Sequence, residues 1–318
     1  MKARCLSLPL TIFVLLTGTA QASETVQSAD QQFDLRVLTD VGANEIQQLA
    51  RQAGRGDIVS QRMLGLLYLT GDDPRDPRRT ELVGVDTEEA AIWFLMAAEQ
   101  GDLLSQLRLG LLYHDGNGVP RDYSEAARWL RAPAESGDVD AQTFMGSVYT
   151  RSSADWDLDY EEAAKWFRLA ADQGNLGAIL TLAGLYHNGL GVDLDFEQAL
   201  ELYRQGSDNA TAQFNIGTMY RRGEGVSVDL DVAAEWIERA AEQGHNTAQY
   251  ELGTMYFAGE GVRQDNVRAH MWVDLAAGSS GGAERTSRIE MRDTIAAEMS
   301  PDEIAEAAER RAEWRPGR

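Results

Sequence analysis

The residue types that most often carry out chemistry are sparse in this chain of 318 residues. Its four histidines are His114, His187, His245 and His270, and only His114 and His187 occupy equivalent places in a repeated pattern. At ~10 Å per packed helix layer, two repeats would separate these rings by about 20 Å, which is too far to share a metal ion. We therefore predict no metal site and no histidine-dependent catalytic site.

The acidic stretch DWDLDYEEAAKW matches the first three ligand positions of an EF-hand calcium loop at Asp155, Asp157 and Asp159. The sixth position is Tyr160 instead of the required glycine, and the twelfth is Trp166 instead of a bidentate glutamate. We interpret the stretch as an acidic helix start. We also expect no S-x-x-K site, nucleophile elbow or phosphate loop, and hence no catalytic residue and no cofactor.

The charge balance is strongly acidic, with 51 acidic against 29 basic side chains and a formal net charge of −22. Phosphate backbones and anionic membrane surfaces repel such a chain, so we predict that nucleic acid is not a partner. No apolar run after residue 20 reaches the ~20 residues that a membrane helix requires, and we predict no membrane span.

The first 22 residues have the three parts of a secretory signal. Lys2 and Arg4 precede the apolar run LPLTIFVLLTG, and AQA then places Ala20 and Ala22 at the spacing of a cleavage site. We interpret residues 1–22 as a signal peptide cut after Ala22, which predicts a periplasmic or secreted protein. Cys5 lies inside this segment, so the mature chain would contain no disulfide. Residues 23–43 are polar without clear periodicity and are predicted to be a flexible lead.

Most of the remaining sequence repeats with a period of 34–37 residues, apart from a longer first interval caused by an insertion. Aromatic and glycine positions recur at spacings that share one helical face, and strand patterning is absent. Each repeat is therefore predicted to form two antiparallel helices, with glycine where the helices approach too closely for a larger side chain. The recurring positions are Tyr68, Tyr113, Tyr149, Tyr186, Tyr220 and Tyr256; Trp93, Trp129, Trp166, Leu202, Trp236 and Trp272; and Gly65, Gly110, Gly146, Ala183, Gly217 and Gly253.

The connections between helices repeat as well. Four of the first helices end in G-x-G-V turns, which suit positive φ. An aspartate then precedes each second helix, and in four repeats a glutamate or glutamine follows three residues later, the spacing of a capping box. These pairs are Asp86 with Glu89, Asp122 with Glu125, Asp159 with Glu162, and Asp195 with Gln198.

The pattern A-x-x-x-L-G-x-x-Y-x-x-G-x-G-V-x-x-D-x-x-x-A-x-x-W-x-x-x-A-A-x-x-G resembles the Sel1-like repeat (SLR) family, a relative of the tetratricopeptide repeat. The resemblance implies an all-α fold, a right-handed α-solenoid of antiparallel helix pairs. We assign six repeats to residues 57–280. NEIQQLARQAGRGD is predicted to form an N-terminal capping helix over residues 44–56, and residues 281–318 to form two C-terminal capping helices.

Solenoids bind partners on their concave wall. By analogy with tetratricopeptide repeats, the wall positions lie at −3, +1 and +4 from the glycine column. The alternative is that the aromatic residues at −3 pack against the next repeat. The candidate protein-binding residues are Arg62, Leu66, Leu107, Leu111, His114, His187, Phe214, Arg221, Arg222, Tyr250 and Phe257.

A second candidate surface is the insertion in the first repeat, where Arg75, Arg78 and Arg79 form a basic spot on an acidic protein. A solvated surface loop is the alternative interpretation of these arginines.

The SLR resemblance implies an adaptor or scaffold for protein complexes. We predict an exported, non-enzymatic protein that binds a protein or peptide on the concave wall, in the bacterial envelope or periplasm. The alternative is a cell-envelope hydrolase acting on peptidoglycan or a β-lactam-like ligand. The partner's identity and the oligomeric state stay open.

Overall fold

The computed structural model describes residues 40–71, 83–153 and 156–316. The predicted signal peptide, most of the predicted lead and the arginines of the insertion lie outside these residues. The described part is helical apart from one isolated bridge between Ser153 and Trp156. The described residues form two compact units, which meet in the sequence between Leu158 and Asp159. The first unit contains α1 (Asp40–Gly54), α2 (Ile58–Thr70), α3 (Thr87–Glu99), α4 (Leu103–Asp115), α5 (Tyr123–Glu135) and α6 (Val139–Tyr149).

The second unit has nine described helices, of which the last two follow the repeats. Within each unit, consecutive helices of the repeats pack together, and both terminal helices pack on α13 of the last repeat. The predicted all-α solenoid class is thereby confirmed. The helices are α7 (Tyr160–Asp172), α8 (Leu176–Asn188), α9 (Phe196–Gln205), α10 (Ala210–Arg222), α11 (Leu230–Glu242), α12 (Asn246–Ala258), α13 (Asn266–Gly278), α14 (Gly282–Ala296) and α15 (Pro301–Glu313).

The N-terminal capping helix differs from the prediction in its bounds. Helix α1 begins at Asp40, so Asn44 lies inside the helix instead of at its start, and the last four residues of the predicted lead are helical. Ile46, Leu49 and Ala53 of α1 are buried with residues of α2 and α3. This burial closes the apolar end of the first repeat.

The glycine column marks the crossing of the two helices within a pair. A Cβ atom at Gly253 of α12 would lie 2.6 Å from Val273 Cγ2 and 3.0 Å from the carbonyl oxygen of Ala269, both on α13. Contacts this short leave no room for a methyl group, which confirms the predicted reason for glycine. The same 2.6 Å approach recurs between Gly65 and Phe94, Gly110 and Leu130, and Gly217 and Ile237.

The large side chain that is buried in every second helix is the residue after the tryptophan column. Trp93, Trp129 and Trp272 are buried, whereas Trp166 and Trp236 are only half-buried. The following residue instead fills the space over the glycine column, so the tryptophans contribute unequally to packing. These following residues are Phe94, Leu130, Phe167, Tyr203, Ile237 and Val273, all less than 5% exposed.

Neighbouring helix pairs are joined at the starts of their first helices. Asp102 caps α4 by accepting the backbone N–H of Ser105 at 3.0 Å. Gln106 Nε2 then donates to the carbonyl oxygen of Ala98 at 3.0 Å, which ties α4 to the last turn of α3. The equivalent caps are Asp57, Asp138, Asn175, Asn209 and His245, and the equivalent glutamines are Gln61, Gln142, Gln213 and Gln249.

The aspartates before the second helices act as caps, but the predicted capping boxes do not close. Asp86 Oδ1 accepts the backbone N–H of Glu89 at 3.0 Å. The backbone N–H of Asp86 donates to the carbonyl oxygen of Tyr68 at 2.9 Å, so Glu89 has no free N–H to accept there. Its carboxylate binds Trp93 Nε1 instead, at 2.9 Å. The reciprocal box is complete at the start of α15, between Ser300 and Glu303.

Candidate protein-binding surface

The predicted surface residues all lie on the first helices of their repeats, where a repeated backbone places side chains that differ between repeats. They fall into two groups because the chain forms two units. The first group lies on α2 and α4, and the second on α8, α10 and α12.

In the first unit the predicted apolar positions are largely withdrawn from solvent. Leu107 is buried, while Leu66 and Leu111 are half-buried. Arg62 Nη1 lies 2.7 Å from Asp102 Oδ1, the same carboxylate that caps α4. Arg62 therefore joins two neighbouring repeats, and its charge is neutralised by a structural partner.

His114 is held by polar and aromatic neighbours. Its Nδ1 lies 2.7 Å from Asp115 Oδ1, and its Nε2 lies 3.1 Å from Ser147 Oγ on α6. The rings of Tyr123 and Phe144 meet the imidazole edge to face, with centroids within 6 Å. Both ring nitrogens are thus occupied, and the side chain bridges two repeats.

His187 occupies the same position on α8 and also contacts the next repeat. Its Nε2 lies 3.3 Å from Glu224 Oε2, in the turn that follows α10. Phe196 packs edge-on against the ring at 5.4 Å between centroids. The His187 Nδ1 atom is buried and has no hydrogen-bond partner in the described part of the chain.

Arg221 is clamped by two carboxylates of the following repeat. Its Nε and Nη2 donate to the two oxygens of Glu260 at 2.9 and 3.0 Å, and its Nη1 donates to Glu251 Oε2 at 2.6 Å. These bonds, chiefly those to Glu260, hold the pKa of Arg221 above its ordinary value. A bidentate pair of this kind fixes the guanidinium, so Arg221 organises the surface instead of offering a free cation.

Sequence reasoning missed the partners of these side chains. Glu224 and Glu260 each occupy the second position of a G-E-G-V turn, in the repeats that follow His187 and Arg221. The signal was present as a basic residue at position +4 of one repeat followed by an acid in the next turn. The two pairs form successive links between neighbouring repeats.

Arg222 differs from its neighbour because it is free to meet a partner. Its side chain is 64% exposed, and the nearest carboxylate oxygen, on Glu224, lies 3.8 Å away. An exposed arginine with so loose a pair gains little from it. Arg222 is therefore the accessible cation in the second group of predicted residues.

The three predicted aromatic residues pack against the same apolar cluster, which includes residues of α12 and α13. Phe214 stacks on His245, the cap of the next repeat, at 4.8 Å between centroids. Tyr250 lies beneath the guanidinium of Arg288 on α14, 5.4 Å from the ring centroid. Phe257 is half-buried at the end of α12. The −3 aromatics thus have packing partners, and Phe257 and Arg222 are the better candidates for recognition.

One catalytic pattern escaped the sequence analysis, because residues 278–282 spell G-x-S-x-G with Ser280 at the nucleophile position. A nucleophile elbow follows a strand, whereas Ser280 follows α13. Its Oγ bonds the carbonyl oxygen of Ala276 at 2.8 Å and Asn246 Oδ1 at 3.2 Å. Ser280 therefore belongs to the end of a helix. Within the described residues, no three His, Cys, Asp or Glu side chains are grouped to hold a metal.

Comparison with known protein families identifies the repeats of this chain. A model of the Sel1 repeat family matches six times, over residues 58–102, 103–138, 139–175, 178–211, 210–245 and 246–279. A search of curated proteins finds no match.

Among the described residues, no helix combines the length and apolar character needed to cross a membrane.

Two solved structures resemble the chain over most of its length. A Sel1 repeat protein from Oxalobacter formigenes is 28% identical, with a TM-score of 0.66, and the match covers 97% of this chain and 91% of that one. A protective antigen of uropathogenic Escherichia coli strains that displays an SLR fold is 26% identical, with a TM-score of 0.70 and 92% of this chain covered. The match spans 63% of the antigen's length.

Proposed function

Because the chain belongs to the Sel1 repeat family, we propose that it is an exported, non-enzymatic scaffold that binds a protein or peptide along the first helices of its repeats. Proteins with Sel1 repeats generally mediate protein–protein interactions, and their fold is typically a non-enzymatic scaffold. The export and the binding surface are the proposal's own additions.

The observation that supports the proposal is that the repeated side chains make structural contacts, whereas some variable side chains are exposed. The repeated glycines, caps and glutamines are engaged within and between helix pairs. Variable side chains such as Arg62 and Arg221 also link neighbouring repeats, so recognition is left to those variable side chains without such a link, chiefly the exposed Arg222. Arginine and aromatic side chains are frequent anchors of protein interfaces.

The export proposal rests on the basic start, apolar run and AQA site of residues 1–22. Expression of the full gene product followed by cell fractionation and N-terminal sequencing tests it directly. We expect a mature chain in the envelope or medium that begins at Ser23. An uncut chain recovered from the cytoplasm would contradict this part.

Site-specific photo-crosslinking tests the binding surface. A photoreactive residue at Arg222, on the first helix α10, is expected to capture a discrete protein partner in intact cells. A photoreactive residue at Glu235 is the matched control, because its side chain is also exposed (70%) but lies on the second helix α11. Two results would contradict the proposed surface: equal capture from both positions, or no capture from position 222.

A second pair of variants separates recognition from folding. Arg222→Glu changes an exposed side chain, so we expect loss of crosslinking from a photoreactive residue at Thr218 without loss of thermal stability. Glu235→Arg reverses a charge of similar exposure on the other helix and is expected to change neither. A crosslink that survives Arg222→Glu would remove this residue from the surface.

A further inference from the structure

Each G-x-G-V turn seats its second glycine on the start of the second helix of the preceding repeat. Gly225, with φ +72°, has a position for Cβ only 2.7 Å from the carbonyl carbon of Phe196, the first residue of α9. A side chain there would strike the peptide group between Phe196 and Glu197. The same seating joins Gly118 to Thr87 of α3, Gly191 to Tyr160 of α7, and Gly261 to Leu230 of α11.

The start of α13 is the corresponding seat for a turn after the last repeat. In place of a seated glycine, this helix start lines a cleft of about 720 Å³. Glu303 of α15 also lines the cleft. The two terminal helices therefore pack against α13, but an open cleft remains at its first residues. At the equivalent place on the earlier second helices α3, α7, α9 and α11, a glycine of the following turn is in contact. The cleft residues used below are Arg263, Asp265, Asn266 and Arg268.

Two polar groups of the cleft have no partner among the described residues. Asn266 is the first residue of α13, and its Oδ1 atom is buried without a hydrogen-bond partner in the described part of the chain. Such an acceptor costs free energy until a donor reaches it. Arg263 is exposed and makes no ion pair with any described residue. The cleft thus presents the exposed cation of Arg263 close to an unpaired acceptor that the surrounding residues cover.

We propose that this cleft is a docking site for a glycine-containing turn of a different helical-repeat protein, which would be seated on α13 as Gly225 is seated on α9. The four G-x-G-V turns of a second copy of this chain are already seated on their own repeats, which favours a different chain as the occupant. Turns of this class carry acids, as Asp193 and Asp195 follow Gly191 here, and these complement Arg263. The inference concerns another surface than the one proposed above and stands or falls separately.

The test uses the full-length protein and a backbone-cyclised peptide that contains residues 187–195, HNGLGVDLD. Amide chemical shifts from isotope-labelled protein report binding at each residue, including millimolar affinity. We expect shifts at Asn266, Val267 and Arg268 that saturate with added peptide. A matched peptide with Gly191→Ala should bind about tenfold more weakly or worse, because the added methyl has no room at the seat.

A protein variant checks the electrostatic part. Arg263→Glu alters an exposed side chain and is expected to weaken binding of the peptide by about tenfold, with the remaining spectrum unchanged. The proposal is overturned if the peptide leaves the α13 start unaffected, shifts other regions instead, or binds equally with glycine and alanine. Shifts of these amides on concentrating the protein alone would assign the seat to a second copy and also overturn it. Crosslinking at Arg222 is independent of each of these results.

Discussion

Substitution of Gly253 by alanine tests the physical basis of the repeat. In an isolated helix this change would stabilise by about 1 kcal/mol, because glycine loses more backbone freedom on folding. In this protein the new methyl group would lie 2.6 Å from Val273 Cγ2 and 3.0 Å from the carbonyl oxygen of Ala269. The oxygen belongs to the backbone of α13 and cannot rotate away, so the helices must separate.

Overpacking of this kind costs about 1–3 kcal/mol in well-packed cores. After the gain in helix propensity, we therefore expect Gly253→Ala to lower the free energy of unfolding by up to about 2 kcal/mol. Urea denaturation, followed by circular dichroism, measures this change in the free energy of unfolding. In a double-mutant cycle, Val273→Ala should cost less in the Gly253→Ala background than in the native protein, because it removes the atom in closest contact.

The matched control is Gly184→Ala, at a helical glycine of α8 whose Cβ atom would meet only Tyr203 Oη, at 3.7 Å. This ordinary contact leaves the propensity gain intact, so stability should rise by about 0.5–1 kcal/mol. The reasoning is refuted if Gly253→Ala raises stability as Gly184→Ala does, or if the two substitutions in the cycle are additive.

Three further predictions concern other parts of the fold. Burial lowers the pKa of His245, whose Nδ1 accepts the N–H of Ala248. The cap therefore stabilises at neutral pH and is lost as pH falls below about 6.5; His245→Asn should flatten the thermal stability between pH 7 and 5, and an unchanged profile would contradict this. Trp272→Ala should cost about 3–5 kcal/mol in chemical denaturation, because Trp272 is 5% exposed; half-buried Trp236→Ala should cost clearly less, and equal costs would contradict the difference. Arg288→Met should speed hydrogen exchange in α14, because it removes the bonds of Arg288 to Asn246 and the Ala276 carbonyl; unchanged exchange would show that apolar packing alone holds the helix.

The helix pairs could be predicted from the sequence because one spacing recurs six times. The periodic tyrosine, tryptophan and glycine positions define which face of each helix is apolar, and Gly110 or Gly217 can be explained only by a close neighbour. Repetition supplied the information that a single copy lacks, since a lone glycine in a helix has several explanations.

The roles of polar residues were harder to predict, because a hydrogen-bond partner depends on how separate helices pack. Glu89 has the spacing of a capping box, yet it binds Trp93 since the carbonyl of Tyr68 has already taken the cap N–H. Arg221 was predicted as a recognition residue, but Glu251 and Glu260 from the next repeat surround it. The spacing of residues along the helix of Arg221 does not reveal Glu251 or Glu260, because both belong to the next repeat.

The central claim is that the repeated side chains hold the helix pairs together and that exposed variable side chains such as Arg222 recognise the partner. The most direct measurement compares two variants in which methionine replaces a polar side chain, Gln249→Met and Arg222→Met. For each variant, the thermal stability and the crosslinking from a photoreactive residue at position 218 are measured. Gln249 is buried and bonds the Ala241 carbonyl at 3.2 Å, so its variant should melt earlier and still capture the partner while folded. Arg222→Met should melt normally and lose capture. The reverse assignment, with capture abolished by Gln249→Met at unchanged stability, would contradict the account.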